Sequence, residues 1–276
     1  MHCNVCSERS VSQFKTLVLK KYNVEYFKCT SCGFIQTEDP YWLGEAYESA
    51  ITDLDIGLVS RNLYFAEILE GFFDRGIFNE KGIFLDYAGG YGLFVRLMRD
   101  KGINFFRQDV YCKNIFADHF DLSDLSEEQH FDAITAFEVF EHLVDPLEGV
   151  AKMLTFSDTI IFSTQLQPEG YLTPDNWWYF VPETGQHVSL YTIKSLENIA
   201  RREGLYFYSN KQNLHIYSKK ALDVNPFEKA KMSFLQKLNN KVKDRLRAGD
   251  QKPKRESLIL KDFNFINGLD KDEVTS

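Results

Sequence analysis

Apolar and polar positions change period several times along the chain, and each change predicts an element. Residues 1 to 37 carry short alternating runs, as in "FKTLVLKKYNVEYFKCTSCGFIQT", whose period of two predicts strands between two cysteine-bearing turns. From "DPYWLGEAYESAI" through "IGLVSRNLYFAEILEGFFDRG" apolar residues recur at helical spacing, and Gly76 follows as a stop. The pattern then alternates between apolar "GIFLDYA", helical "YGLFVRLMRDKG", apolar "INFFRQDV" and "FDAITAF", helical "DPLEGVAKML" and apolar "DTIIFSTQ". Strands alternating with helices of roughly 10 to 15 residues require crossover connections, which predicts an α/β domain with a mostly parallel sheet. Further on, "SLENIARREG" predicts a helix and "LYFYSNKQNLHIYSKK" two strands joined by a polar turn, an antiparallel hairpin that closes the sheet.

From Asn225 onward the composition shifts to "PFEKAKMSFLQKLNNKVKDRLRAGDQKPKRES", which predicts an amphipathic helix packed on the domain, then a linker. These shifts divide the chain into a cysteine module at 1–37, a helical lead-in at 38–80, an α/β domain at 81–222 and a C-terminal helix and tail at 223–276.

The chain has 276 residues, 44% of them hydrophobic, enough for one large core and a small extra module. Its 24 Phe, 14 Tyr and 3 Trp make pockets with stacking surfaces easy to line. A formal net charge of -8 argues against nucleic acid as a partner for the protein as a whole. No window approaches the roughly 18 apolar residues that a membrane span needs, and "MHCNVCSERS" has no basic segment leading into an apolar run. A cytoplasmic protein without a leader is expected.

Four of the five cysteines form two pairs, Cys3-x-x-Cys6 and Cys29-x-x-Cys32, with 22 residues between the pairs. A two-residue spacer lets one tight turn present two thiolates to a single ion, and two such turns complete a tetrahedron around Zn2+. Gly33, just after the second pair, suits the positive φ that such a turn demands. Four cysteine ligands leave no open position for water, so the expected zinc is structural. Cys112 stands alone and is expected to be an ordinary thiol.

The stretch "LDYAGGYGLFVRLM" joins a predicted strand to a predicted helix. It lacks the third glycine of a dinucleotide-binding loop, and read as D-x-G-x-G-x-G it supplies Asp86, Ala88, Gly90 and Gly92, with alanine at the first glycine position. A loop leaving the carboxyl end of a strand must let its backbone approach a ligand, and Gly89 and Gly90 permit that. Asp86 at the strand end suits an ammonium group. Asp109, 17 residues after Gly92 at the end of "INFFRQD", can accept both hydroxyls of a ribose. In "FDAITAFEVFEHLVDP" the strand ends at Glu138, with Glu141 and His142 following where the chain turns toward a helix.

These stretches resemble the motifs of class I S-adenosylmethionine-dependent methyltransferases. The resemblance implies a Rossmann-like sheet with S-adenosylmethionine held by Asp86, Ala88, Gly89, Gly90, Gly92, Asp109, Glu138 and His142. Arg61 in the helical lead-in is a candidate partner for the cofactor carboxylate. The spacing Glu138-x-x-Glu141-His142 is also similar to that of ubiquinone-pathway O-methyltransferases, which implies a possible divalent cation near Glu138, Glu141 and His142.

The segment "DNWWYFVPETGQHVSLYT", rich in aromatic residues and bounded by Pro and Gly, is a candidate acceptor wall at the carboxyl ends of the strands. Its W-W-Y-x-x-P…G-Q-H-V-S-x-Y pattern resembles methyltransferases of glycan and nucleotide-sugar pathways, and more loosely deoxysugar C-methyltransferases that begin with a four-cysteine zinc module. That resemblance implies a small hydroxylated acceptor, a sugar of a nucleotide-sugar or surface-glycan pathway, with O-methylation favoured over C-methylation. His187 is the candidate base, because a loop imidazole titrates near neutrality. Tyr179 and Tyr191 are candidates to orient the acceptor. Two rivals stand beside this reading: an RNA methyltransferase carrying an N-terminal zinc module, and a zinc-ribbon interaction protein whose methyltransferase-like domain is catalytically silent.

Overall fold

A computed structural model describes residues 1–48, 55–127, 129–228 and 255–273. Its main sheet has six strands in the order β5-β4-β6-β7-β10-β9. The parallel part consists of β4 (Ile83–Tyr87), β5 (Asn104–Gln108), β6 (Ala133–Ala136) and β7 (Thr159–Ser163). The hairpin β9 (Tyr206–Ser209) and β10 (Leu214–Ser218) joins β7 in antiparallel register, with Ile216 opposite Ile161. The α/β domain with a mostly parallel sheet expected from the alternating pattern, and the Rossmann-like sheet implied by the resemblance, are therefore the architecture observed. From β4 the chain runs outward to β5, then returns past β4 to form β6 on its other side, so the strand order reverses between β4 and β6. In open α/β sheets ligands bind outside the carboxyl ends of the strands at such a reversal.

Local chemistry accounts for the helices that frame this point. In α2 (Leu58–Asp74), Phe65, Ala66, Leu69, Phe72 and Phe73 recur at helical spacing and are buried, and the chain leaves the helix through Gly76 at φ +70°. In α3 (Leu93–Asp100), Phe94, Val95 and Met98 face the same core as Phe84 and Phe105 of the sheet. Helix α4 (Pro146–Met153) has Pro146 in its first turn and Asp145 as cap, whose carboxylate accepts from the amides of Leu147 and Glu148 at 3.0 Å each. Thr192 and Ser195 cap α5 (Ile193–Arg202) reciprocally. A short helix α1 (Leu43–Ala46) precedes the residues leading to α2.

The N-terminal cysteine segment does not stand apart. The hairpin β1 (Ser10–Val18) and β2 (Tyr22–Cys29) pairs with β3 (Ile35–Thr37), and β3 pairs in turn with β8 (Ser189–Leu190), placing Ile35 opposite Leu190. This four-stranded antiparallel sheet thus takes its last strand from the far side of the aromatic segment. Its core is shared as well: Cys3, Cys29, Cys32 and Phe34 belong to one buried cluster with Leu85, Ile134 and Phe162 of the main sheet.

The amphipathic helix expected after Asn225 lies largely outside the described residues. The described tail instead contains α6 (Ile259–Glu273), which the hydrophobic pattern did not single out. Its Asp262 is buried and bonds the guanidinium of Arg99 in bidentate fashion, at 2.8 and 2.7 Å. Paired charges of this kind survive burial because each satisfies the other's hydrogen-bonding groups.

Candidate active site

At the reversal point between β4 and β6 a cavity of about 860 Å³ opens. Its floor is the loop from Tyr87 to Tyr91, its walls carry Asp109, Glu138, Glu141 and His142, and its far side is closed by Trp178, Tyr179 and His187. Residues from α1, α2 and the strand ends therefore share one space with the aromatic segment.

The glycine loop is built as its sequence requires. Gly90 and Gly92 have φ of +54° and +84°, and a Cβ on Gly89 would lie 2.6 Å from the Asp86 carboxylate and 2.8 Å from Cγ of Arg107. Ala88 also adopts a left-handed conformation, with φ +55°. A left-handed backbone costs an L-residue roughly 1–2 kcal/mol, of which the greater freedom of glycine in the unfolded chain would cancel part. Ala88→Gly is therefore expected to raise stability by about 0.5–1 kcal/mol, read as a higher urea midpoint; a lower midpoint would contradict this account of the loop.

Asp86 lies at the end of β4, buried, with its carboxylate accepting from the Thr135 hydroxyl at 2.6 Å. Burial pushes its pKa up to about 7. Asp109 closes the loops over β5: one oxygen accepts from the Gly90 amide at 2.9 Å, the other from the amides of Tyr111 and Cys112, each at 2.7 Å. A carboxylate offers about four acceptor sites, so three backbone bonds leave room for about one ribose hydroxyl rather than two. Arg107 is a residue the sequence reading missed. Its buried guanidinium spans the Gly90 and Cys112 carbonyls and the Asp121 carboxylate, bracing the same two loops from below. An arginine two residues after Phe105, and so on the same face of the strand, was the signal available.

Glu138 follows β6 with φ +54°; its carboxylate accepts from Ser163 Oγ at 2.6 Å and faces Arg61 Nε at 3.7 Å. Burial and the neighbouring Glu141 raise its pKa to about 7. Arg61 also binds Asp55 at 2.6 Å. His142 and His187 face each other with ring centres 5.0 Å apart. Nδ1 of His142 lies 3.1 Å from the Gln186 carbonyl and 3.0 Å from the Tyr47 hydroxyl, and Nδ1 of His187 lies 2.6 Å from the Tyr179 carbonyl. Tyr47 was not foreseen; it reaches the site from the lead-in and stacks on Tyr111.

Of the residues singled out from sequence, Asp86, Ala88, Gly89, Gly90, Asp109, Glu138, His142, Tyr179 and His187 line the cavity, as do Arg61 and Cys112. Gly92 and Tyr191 are not among its lining residues. Gly92 starts α3, and an added Cβ there would meet the Asn114 side chain at 2.3 Å. The Tyr191 hydroxyl donates to the Phe140 carbonyl at 2.8 Å and its ring packs on Phe34, so the structure gives it a packing position instead of an acceptor-facing one.

Among the described residues, two groups of side chains present enough converging donors to hold a metal ion. The first is Cys3, Cys6, Cys29 and Cys32, whose sulfurs lie within 4.8 Å of one another, with separations of 3.7 Å for Cys3 to Cys32 and 3.4 Å for Cys6 to Cys29. A tetrahedron with metal–sulfur bonds of about 2.3 Å has edges of about 3.8 Å, so the sulfurs need little movement to fit zinc. Backbone amides of Val5, Ser31 and Cys32 already point at these sulfurs at 3.4 Å, which stabilises thiolate charge. The second group is Glu141, His142 and His187, with His187 taking the position expected of Glu138.

No curated protein sequence matches the chain. Among solved structures it is similar to OxaC (15% identity over 52% of this chain and 45% of that one, TM-score 0.38). It is also similar to an O-methyltransferase family 2 protein from Planctomyces limnophilus DSM 3776 in complex with apigenin (12%, 50% and 51%, TM-score 0.36). A third is the plantazolicin methyltransferase BpumL in complex with a monoazolic desmethylPZN analog and SAH (12%, 75% and 88%, TM-score 0.40). The match spans about half the length of the first two. Residues 60–210, more than half of the chain and containing every strand from β4 to β9, match the family described as a methyltransferase domain. The chain therefore belongs to the methyltransferase-domain family.

Proposed function

We propose that the protein is an S-adenosylmethionine-dependent methyltransferase that O-methylates a small hydroxylated acceptor, a sugar of a nucleotide-sugar or surface-glycan pathway. The observation that carries the reading is the cavity itself. At about 860 Å³ it lies near the upper end of the range for ligand sites, roughly 300–1,000 Å³, which leaves space for an acceptor beside a cofactor. One end is the glycine loop and the other is lined with polar groups, Glu138, Glu141, His142, Gln186 and His187, suited to hydroxyls.

The residues present fit S-adenosylmethionine. Gly89 leaves a cradle that a Cβ would fill, Asp86 is a buried carboxyl at its edge, and Asp109 retains acceptor capacity beside it. When bound, the cofactor supplies an electrophilic methyl group whose bond to sulfur breaks as the acceptor oxygen bonds to the carbon. The chain's own part is alignment, worth roughly 7–11 kcal/mol when the reacting atoms are held in line, and disposal of the hydroxyl proton. The Tyr179 carbonyl accepts from Nδ1 of His187, which fixes the ring with its Nε2 lone pair free, and burial keeps the imidazole neutral by pushing its pKa down. In this proposal Nε2 takes the proton. Tyr179 orients the acceptor, and Cys3, Cys6, Cys29 and Cys32 hold a structural zinc, a chemistry that suits the reducing cytoplasm.

Calorimetric titration with S-adenosylmethionine between pH 5.5 and 7 tests the cofactor end. The ammonium of the cofactor stays charged in this window, whereas Asp86, with its pKa raised to about 7, ionises only as pH rises. Affinity is therefore expected to fall about tenfold per pH unit below 7, and Asp86→Asn to flatten that dependence. Absence of binding by the folded protein would sink the cofactor site. Methyl transfer to nucleotide sugars but not to tRNA or rRNA is the expected acceptor result; transfer to RNA alone would replace the sugar reading.

A further inference from the structure

Glu141 sits in the turn after β6, fully buried, and among the described residues neither of its carboxylate oxygens has a hydrogen-bond partner. The hydroxyls of Tyr179 and Thr164 lie close enough to stabilise its charge, yet neither reaches it in hydrogen-bonding geometry. Removing a carboxylate from water without donors costs several kcal/mol, so a group left in this state calls for a positive partner.

Its neighbours supply no proton. Nδ1 of His187 faces the Tyr179 carbonyl, and Nδ1 of His142 has the Gln186 carbonyl at 3.1 Å and the Tyr47 hydroxyl at 3.0 Å; a carbonyl oxygen can only accept, so Tyr47 shares the Nδ1 hydrogen of His142 as a second acceptor. Each neutral ring therefore carries its hydrogen on Nδ1 and its lone pair on Nε2. One ligand atom each from Glu141, His142 and His187 lies within 4.8 Å of the others. Two imidazole lone pairs and a carboxylate thus converge with no donor among them.

We infer that Glu141, His142 and His187 bind a divalent first-row transition-metal cation at the acceptor end of the cavity. Two nitrogens and one oxygen suit Zn2+, Co2+, Fe2+ or Mn2+, whereas Mg2+ and Ca2+ prefer oxygen ligands throughout. An Nδ1–H anchored on a backbone carbonyl is the support that orients a metal-binding imidazole, and both rings have it. Glu138 is outside this set, since its carboxylate is taken by Ser163 and Arg61. Three protein ligands leave a coordination position open toward the cavity. The inference rests on reading this end as the acceptor site and replaces the base role given to Nε2 of His187: a hydroxyl bound to the ion would release its proton to water in the open cavity, with His187 held as a ligand.

The whole 276-residue chain, isolated with metal at its cysteines, is titrated with Co2+ and followed by visible absorption, by metal content after dialysis and by calorimetry with S-adenosylmethionine. One additional equivalent per chain, without a thiolate-to-cobalt charge-transfer band, is expected. Glu141→Gln and His187→Ala should each weaken that binding by at least tenfold, with the cysteine-bound metal, the thermal midpoint and cofactor binding retained. No additional equivalent on the wild type, or equal binding by both variants, overturns the site. If cofactor binding persists while the second ion is absent, the metal site alone fails; if cofactor binding is itself absent, the reading of the cavity fails with it.

Discussion

Cys32→Ser is expected to abolish the cooperative fold at ambient temperature or to leave it with a small fraction of its stability. A structural zinc contributes on the order of 10 kcal/mol to the domain that holds it, and whole proteins of this size are stable by only about 5–15 kcal/mol. The loss does not stay local, because Cys3, Cys29 and Cys32 are buried in the same cluster as Leu85, Ile134 and Phe162 of the main sheet. Thr192, which caps α5, donates to the Cys32 carbonyl at 2.6 Å, and the adjacent Phe34 packs on Tyr191. Without an ion, thiols held only by weak contacts with one another and with backbone amides would replace a closed tetrahedron, and these contacts would lose their anchor. Circular dichroism with metal analysis reads the effect: wild type is expected to carry one zinc at the cysteines, and Cys32→Ser or a strong chelator to remove it and broaden or erase the thermal transition. A metal-free chain that melts like the wild type would refute the assignment.

The second large effect is expected at the acceptor end. His187→Ala should lower turnover about a hundred- to ten-thousand-fold, the usual contribution of a group that manages a proton in the transition state. Binding of S-adenosylmethionine should persist, since the substitution leaves Asp86, the glycine loop and Asp109 untouched. Among the described residues the side chain is held by one hydrogen bond, to the Tyr179 carbonyl, and by ring contacts with His142 and Tyr179. Its removal therefore opens space without stranding a buried charge. Turnover within threefold of wild type would take His187 out of the chemistry.

Much of the sheet was legible because its signals are local. The apolar runs "GIFLDYA" and "INFFRQDV", the helical spacing of Phe94, Val95 and Met98, and the polar turn between β9 and β10 each follow from how a single element meets the core. The cysteine pairs and the glycine loop were legible for a similar reason, since a few adjacent residues set the geometry of a turn. Partnerships across long separations were not. Nothing in "FIQT" says that Ile35 will lie beside Leu190, and nothing near Arg99 announces Asp262. The site divides along the same line. Asp86 and Asp109 stand at strand ends that periodicity locates, whereas the pairing of His142 with His187 depends on how two distant loops meet. Tyr191 misled because aromatic residues in one segment alternate between facing the cavity and facing the core, and only packing decides which does which.

The strand β8 also sets a timetable for synthesis. The two cysteine turns are complete once residue 32 has left the ribosome, but the sheet that carries them lacks its fourth strand until residues 189–190 follow. At about 5–20 residues per second that interval is roughly 8–30 s. During it the exposed edge of β3 has no neighbour on that side, and metal captured early by the nascent chain would hold the hairpin in shape while its edge waits to be covered. The zinc proposed for these cysteines would thus bear on the yield of the chain as well as on the stability of the finished fold.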